Sequence, residues 1–348
     1  MSVSQNGQHV PADILVTGGG GFLGSAIVRK LNNRGDRVRS LSRKFYPVLA
    51  EMGVEQFRAD IGDASAVNKA VQNVDTVFHV AAKAGVWGRY EDFYHANVVG
   101  TRTVINACMA NRVSTLVYTS SPSVVFDGSN MEGVDESVPY PQHYHAHYPK
   151  TKAMAEQEIV RATGEGLNAV ILRPHLIWGP GDPHMAPRII KRAKRLRRVG
   201  KGDNRVDTIY INNAADAHLL AADKLKRRPD LSGRIYFISQ DDPILLWEMV
   251  NAILTAGGLE PIKGTLPQWT AWCIGSLLEF IYRAFRLNGE PQMTRFVANE
   301  LATAHWFDIS AAKKDLGYRP AVSTQEGLKR LAEWLMEKEV PKVRLRLR

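Results

Sequence analysis

A chain of 348 residues can bury one large elaborated core or two closely joined ones. Its 45% hydrophobic and 23% charged residues are those of an ordinary globular protein. Two cysteines, Cys108 and Cys273, far apart and without CxxC spacing, exclude a disulfide scaffold or zinc cage and suit a reducing cytoplasm, while the net charge of +10 calls for a location along the chain.

Residues 1–10 are polar, lack a charged-then-apolar signal pattern, and read as a disordered leader. Short β-branched runs then alternate with helical stretches. Strands are expected at 14–17, 38–41, 54–59, 76–80, 115–119, 169–172 and 234–238, and helices at 23–33, 64–71, 98–111 and 150–162. Such alternation predicts an α/β fold with a doubly wound parallel sheet and right-handed crossovers.

Directly after the first strand comes TGGGGFLGSAIVRKL, residues 17–31, in which Gly18, Gly21 and Gly24 form GxxGxxG. Glycine is required where backbone turns tightly, where it touches a pyrophosphate, and where the helix packs close to the sheet. The helix N-terminus adds free N–H groups and a partial positive charge, so the stretch predicts dinucleotide binding. The second strand runs into Ser42, Arg43 and Lys44, where an NAD site would carry a carboxylate for the ribose hydroxyls. A guanidinium there can grip a 2′-phosphate, which favours NADP(H) over NAD(H). Asp60 closes the third strand, where its carboxylate could accept from the adenine amino group, and the small residues of HVAAKAG, 79–85, end the fourth.

The fifth strand leads into YTSSPSVVF, residues 118–126, and then to Tyr148 and Lys152 in QHYHAHYPKTK, 142–152. Residues four apart share one helix face. A free tyrosine, with a pKa near 10, is a poor acid or base at neutral pH, and a neighbouring ammonium is expected to lower it. A serine hydroxyl can meanwhile hold a substrate oxygen. His143, His145 and His147 have no converging cysteine or carboxylate in sequence, so no metal is expected and they read as a polar approach to the site.

Beyond 180 the pattern turns mostly helical, at 186–198, 244–255, 269–286 and 324–337, with 213–226 returning to the sheet. The division is 11–180 for the dinucleotide-binding domain with 206–240 returning to it, 181–205 and 241–340 for a smaller substrate-binding cap, and 341–348 for a basic tail. Residues 188–201 hold eight basic residues and 342–348 four, with no acid in either, so these two stretches account for the whole excess charge. They offer a docking site for a partner enzyme or membrane surface; without a nucleic-acid motif, nucleic acid is not expected. The segment 269–287 falls short of a clean membrane span and reads as a buried or interfacial helix. A cytoplasmic protein, with peripheral membrane attachment and homodimer formation both left open, is the expectation. Trp87, Trp178, Trp269, Trp272, Phe280 and Phe285 are candidates for a lipophilic slot.

Taken in order, TGxxGxxG, NVVGT at 97–101, the SS pair, YxxxK and LRPHLIWGPGD at 172–182 resemble the extended short-chain dehydrogenase/reductase family. VAAKAGVWG, GVDES and RPHLIWGPGDPH are similar to its 3β-hydroxysteroid dehydrogenase-like branch, and within it to bacterial 2-alkyl-3-oxoalkanoate reductases. The resemblance implies a Rossmann fold of the extended type and Ser121, Tyr148 and Lys152 as the catalytic trio, with Ser120 the competing serine and Asn97 supporting a water relay. It implies cofactor contacts from Gly18, Gly21, Phe22, Leu23, Gly24, Ser42, Arg43, Asp60, Ile61, Ala81, Ala82, Lys83, Tyr148, Lys152 and Pro174, and substrate contacts from Lys83, Trp87, Ser121 and His175. The implied reaction is reduction of a ketone on a lipophilic substrate, a 2-alkyl-3-oxoalkanoate first and a 3β-hydroxysteroid or sterol second. A nucleotide-sugar epimerase or dehydratase and a non-catalytic NADP-binding regulator are the other readings.

Overall fold

A computed structural model describes residues 11–346 of the chain, with side chains through 337. The expected leader, 1–10, lies outside the described residues, as do 347 and 348 of the basic tail. Seven strands form the main sheet: β1 (Asp13–Thr17), β2 (Arg37–Ser42), β3 (Glu55–Arg58), β4 (Thr76–His79), β5 (Thr115–Thr119), β6 (Ala169–Pro174) and β7 (Ile235–Ile238). Their order is β7-β6-β5-β4-β1-β2-β3 and every pairing is parallel.

Alternation within the strands sends side chains to two cores. Ile14, Val16, Phe78, Val117 and Val170 pack with α1 (Phe22–Arg34) and a helix at Ile211–Arg227 on one face. Leu15, Val77, Leu116, Tyr118 and Ile171 pack on the other with α2 (Ala64–Val71), α3 (Gly100–Ala110) and α4 (His147–Gly164). A sheet covered on both faces by crossover helices is the doubly wound architecture expected from the pattern. Chain order reverses beside β1, which neighbours β2 on one side and β4 on the other. A crevice therefore opens there at the carboxyl edge, the place where such sheets bind ligands.

Three local features depart from expectation. Helix α4 begins at His147 rather than near 150, because Pro149 falls in the first turn, where its missing N–H has no helical partner to lose. The basic stretch 188–201 is not one helix. It is helical from Met185 to Arg192, turns through Ala193–Arg195, and is extended at Arg198–Val199, paired with Thr265–Leu266. Like charges four apart, Lys191 with Arg195, oppose continuation of the helix past Arg192, and burial of Val199 rewards the strand. The segment beyond 180 also carries a small four-stranded sheet, ordered 244–245, 205–206, 305–307 and 131–134, so residues before 180 contribute to it.

Candidate active site

The carboxyl edge of the sheet opens into a cleft of ≈ 610 Å³. Its floor is the loop between β1 and α1. Gly18 has φ +70°, and a Cβ there would lie 3.0 Å from the Ala81 Cα across the crevice. A Cβ on Gly24 would lie 2.1 Å from the Gly18 carbonyl, so the loop and helix approach as they do only without side chains. Helix α1 starts at Gly21 with no side-chain cap and no acidic residue in its first turn, leaving its N–H groups free.

Ser42, Arg43, Lys44 and Asp60 line the end of the cleft beyond β2. Asp60 accepts hydrogen bonds from the Gly62 N–H (2.9 Å) and from His95 Nε2 (2.8 Å). Burial pushes this carboxyl up, and the bonds from Gly62 and His95, with the nearby Arg43, hold it below its ordinary value. The opposite wall is fixed by a buried chain of polar groups. Thr17 Oγ1 accepts from the Val80 and Ala81 N–H groups and shares a 2.8 Å hydrogen bond with His79 Nδ1, while His79 Nε2 pairs with Thr101 Oγ1 at 2.9 Å. Burial drives the His79 pKa down to about 3, aided by the nearby Lys152, so the imidazole is neutral and serves as a fixed strut.

Ser121, Tyr148 and Lys152 line the same cleft. Ser121 ends β5's extension and opens a tight turn at Pro122–Val125; its Oγ accepts from the Ser123 N–H and lies 2.9 Å from Ser123 Oγ. Tyr148 stands in the first turn of α4, and Lys152 one turn on is buried, its Nζ donating to Tyr118 OH (2.8 Å) and to the Thr119 carbonyl (2.6 Å). Burial lowers the Lys152 pKa to about 7, and the carboxylate of Glu156, a further turn along the helix, opposes that fall. Glu156 is itself buried, accepting from Arg173 Nη2 (2.5 Å), Arg173 Nε (3.2 Å) and Tyr140 OH (2.6 Å). Burial raises the Tyr148 phenol above its ordinary value, a hydrogen bond with Ser121 pulls the other way, and Glu300 adds to the rise. The expected depression of the phenol by Lys152 is not among the effects acting on Tyr148, and the Lys152 Nζ is committed to Tyr118 OH and the Thr119 carbonyl.

Of the residues implied by resemblance, Gly18, Gly21, Phe22, Leu23, Gly24, Ser42, Arg43, Asp60, Ile61, Ala81, Ala82, Lys83, Ser121, Tyr148, Lys152 and Pro174 all line this cleft. Asn97 does not; it is buried, accepting from the Lys83 N–H and donating to the Lys83 carbonyl and Thr151 Oγ1, and so clamps the cleft wall. His175 is not on a substrate surface either. Its Nε2 lies 2.7 Å from His305 Nδ1 in the core, where burial holds its pKa well below the ordinary value. The Lys83 ammonium is occupied by Asp92 at 3.2 Å and lies over the Phe93 ring. Trp87 lines a second cleft of ≈ 430 Å³, with His147, Tyr282, Arg283, Arg286 and Leu287 among its walls. The remaining members of the expected aromatic slot are elsewhere: Trp178 is fully buried, and Trp269, Trp272, Phe280 and Phe285 face outward. Sequence reasoning missed Tyr118, Glu156 and Arg173. Only Glu156 left a signal, continuing the four-residue spacing of Tyr148 and Lys152 along α4.

The fold implies a nicotinamide dinucleotide, and the residues present suit one. Besides the close-approach glycines, Ser42 Oγ and Ser120 Oγ line the cleft buried without a hydrogen-bond partner, as groups awaiting a polar ligand would be. Among the described residues no group of three histidine, cysteine or carboxylate side chains converges to hold a metal ion.

Residues 15–268 match the 3-beta hydroxysteroid dehydrogenase/isomerase family. A 2-alkyl-3-oxoalkanoate reductase of Stenotrophomonas maltophilia (strain K279a) is 48% identical over 91% of this chain and 98% of that protein. The decarboxylating sterol-4-alpha-carboxylate 3-dehydrogenase of Mus musculus is 32% identical over 94% and 93% respectively. Among solved structures, the crystal structure of gox2253 superposes with a TM-score of 0.76 at 27% identity, covering 94% of this chain and 98% of that one.

Proposed function

The chain belongs to the 3-beta hydroxysteroid dehydrogenase/isomerase family and is an oxidoreductase acting on CH–OH groups, and from that premise we propose that it reduces the ketone of a 2-alkyl-3-oxoalkanoate with NADPH. The observation that carries the reading is one cleft lined by both the glycine loop and Ser121, Tyr148 and Lys152. The substrate class rests on likeness to the bacterial reductase. The preference for NADPH is supported by Ser42 Oγ without a partner beside the exposed Arg43 and Lys44, a set suited to a 2′-phosphate.

The Gly18–Gly24 loop, the free N–H groups of α1, and Ser42, Arg43 and Asp60 would hold the cofactor. Bound there, the reduced nicotinamide supplies a hydride to the ketone carbon. The chain's own work concerns the oxygen. Tyr148, with its phenol held protonated by burial, gives its proton to the oxygen as charge develops. Ser121 donates a hydrogen bond to the same atom and stabilises that charge. Lys152, donating to Tyr118 OH and the Thr119 carbonyl, would keep a proton within the site.

The test is oxidation of NADPH with three substrates: a 2-alkyl-3-oxo acid, a 3-ketosteroid and a UDP-sugar. Turnover with the oxo acid is expected. Turnover with the ketosteroid alone would move the assignment to the sterol branch, and turnover with the UDP-sugar alone would overturn it.

A further inference from the structure

Helix α5 (Gln268–Ala284) is built inside out. Its inward face presents Ala271, Gly275 and Glu279, spaced four apart. A Cβ on Gly275 would lie 2.6 Å from the Thr294 carbonyl carbon, so glycine lets the helix press against the start of the Arg295–Glu300 helix. Buried Glu279 accepts from the Arg295 N–H (2.8 Å) and from Arg295 Nε (3.0 Å). The large apolar side chains point to water instead. Trp269 is 70% exposed, Leu277 59%, Phe280 67% and, just past the helix, Phe285 71%. Trp272, Ile274 and Leu287 extend the same surface. Scattered exposed apolar residues are normal, but a contiguous aromatic face on one helix marks an interaction surface.

Charge identifies the partner. The only acid between 268 and 289 is the buried Glu279, while Arg283 and Arg286 are exposed beside the aromatics. The basic stretch 188–201 adjoins this helix at both ends. Arg198–Val199 pairs with Thr265–Leu266, immediately before it, and Arg188 and Arg192 bind Glu290 and the Gln292 carbonyl in the segment that follows it. Lys191, Lys194, Arg195, Arg197 and Lys201 have no carboxylate partner among the described residues and are exposed. Aromatic and aliphatic side chains beside a cluster of lysine and arginine form the surface of a helix that lies in a membrane interface, its rings among the acyl boundary and its cations on anionic headgroups.

We propose that α5, with the adjoining basic stretch 188–201, docks the protein on an anionic lipid surface, Trp269, Leu277, Phe280 and Phe285 entering the interface and the lysines and arginines meeting the headgroups. No described helix is long and apolar enough to cross a membrane, so the attachment is in the plane of the surface. The C-terminal end of the same helix supplies Tyr282 and Arg283 to the second cleft, and the turn after it supplies Arg286 and Leu287.

The test is flotation of the full chain with vesicles of phosphatidylcholine alone or mixed equally with phosphatidylglycerol. The expected result is binding to the mixed vesicles, reversed by salt. Trp269→Ser combined with Phe280→Ser should weaken it by at least about tenfold, and so should Lys194→Glu combined with Arg195→Glu. Each variant is first shown to keep the wild-type melting temperature and NADPH affinity, which separates loss of docking from loss of fold. The proposal is overturned if the wild type fails to float with either vesicle, or if the aromatic variant floats as the wild type does. It is also overturned if the wild type binds both vesicles equally, or if it elutes as an oligomer that Trp269→Ser/Phe280→Ser dissociates, since a second copy would then cover the face.

Discussion

In the proposed reduction Tyr148 holds a proton until a ketone oxygen takes it, and burial rather than an adjacent charge favours that protonated state. A phenol held above its ordinary value is fully protonated at neutral pH, which is the state required for reduction. Tyr148→Phe should therefore lower kcat by roughly 10²–10⁴ while leaving NADPH affinity, read by cofactor fluorescence, unchanged. Full turnover in that variant would remove the mechanism. Arg43 is tested by a split between cofactors. Arg43→Ala should raise KM for NADPH roughly tenfold or more and KM for NADH little, because only a 2′-phosphate offers the guanidinium a charged partner. Equal changes would mean that Arg43 is only a surface cation.

Helix α4 carries its chemistry at intervals of four: Tyr148, Lys152 and Glu156. Glu156 ties this face to β6 through Arg173, and neither partner is exposed by more than 2%. Glu156→Ala would leave the Arg173 guanidinium buried without its carboxylate, and breaking such a pair costs about 3–5 kcal/mol. Urea denaturation should show that loss, with Glu156→Ala/Arg173→Met recovering much of it. The spacing of Tyr148 and Lys152 was legible in sequence because helical contacts are local. The contact of Lys152 with Tyr118 was not, since it joins residues 34 apart through packing of a helix on a strand. The same limit applies to α5. Periodicity reveals that its aromatics share a face but not whether that face is turned to the core, and here Gly275 and Glu279 decide the matter by taking the inward side. The end of the helix within the basic stretch 188–201 was illegible because pairing of Val199 is again a non-local event.

At the scale of the whole molecule, strict alternation of strand and helix was enough to anticipate the main sheet, and its carboxyl edge had to hold the glycine loop, Ser42, Ser121 and the end of β6. The small second sheet was illegible, because two of its four strands are two residues long and all are defined only by partners far away in sequence. The same packing sets how stability depends on pH. Burial lowers His79 to about 3 and His218 to about 4 and raises Asp207 and Glu300 to about 7, and these opposing groups differ from the unfolded chain only below about pH 7. Above it Lys152 dominates. Folded, it loses its proton near 7, whereas the unfolded chain keeps it to about 10.5, so the unfolded state binds more protons across that window and stability must rise with pH. From about pH 9 the trend reverses, because Cys108 is raised from 9.0 to about 12 and buried Tyr118 stands well above 10, so there the folded state binds more. Unfolding free energy measured in urea should therefore increase from pH 7 to pH 9 by up to about 1.4 kcal/mol per pH unit and decline above. Lys152→Met should flatten the rise while leaving the decline above pH 9. An equal rise in both proteins would show that the buried ammonium is not the group that titrates.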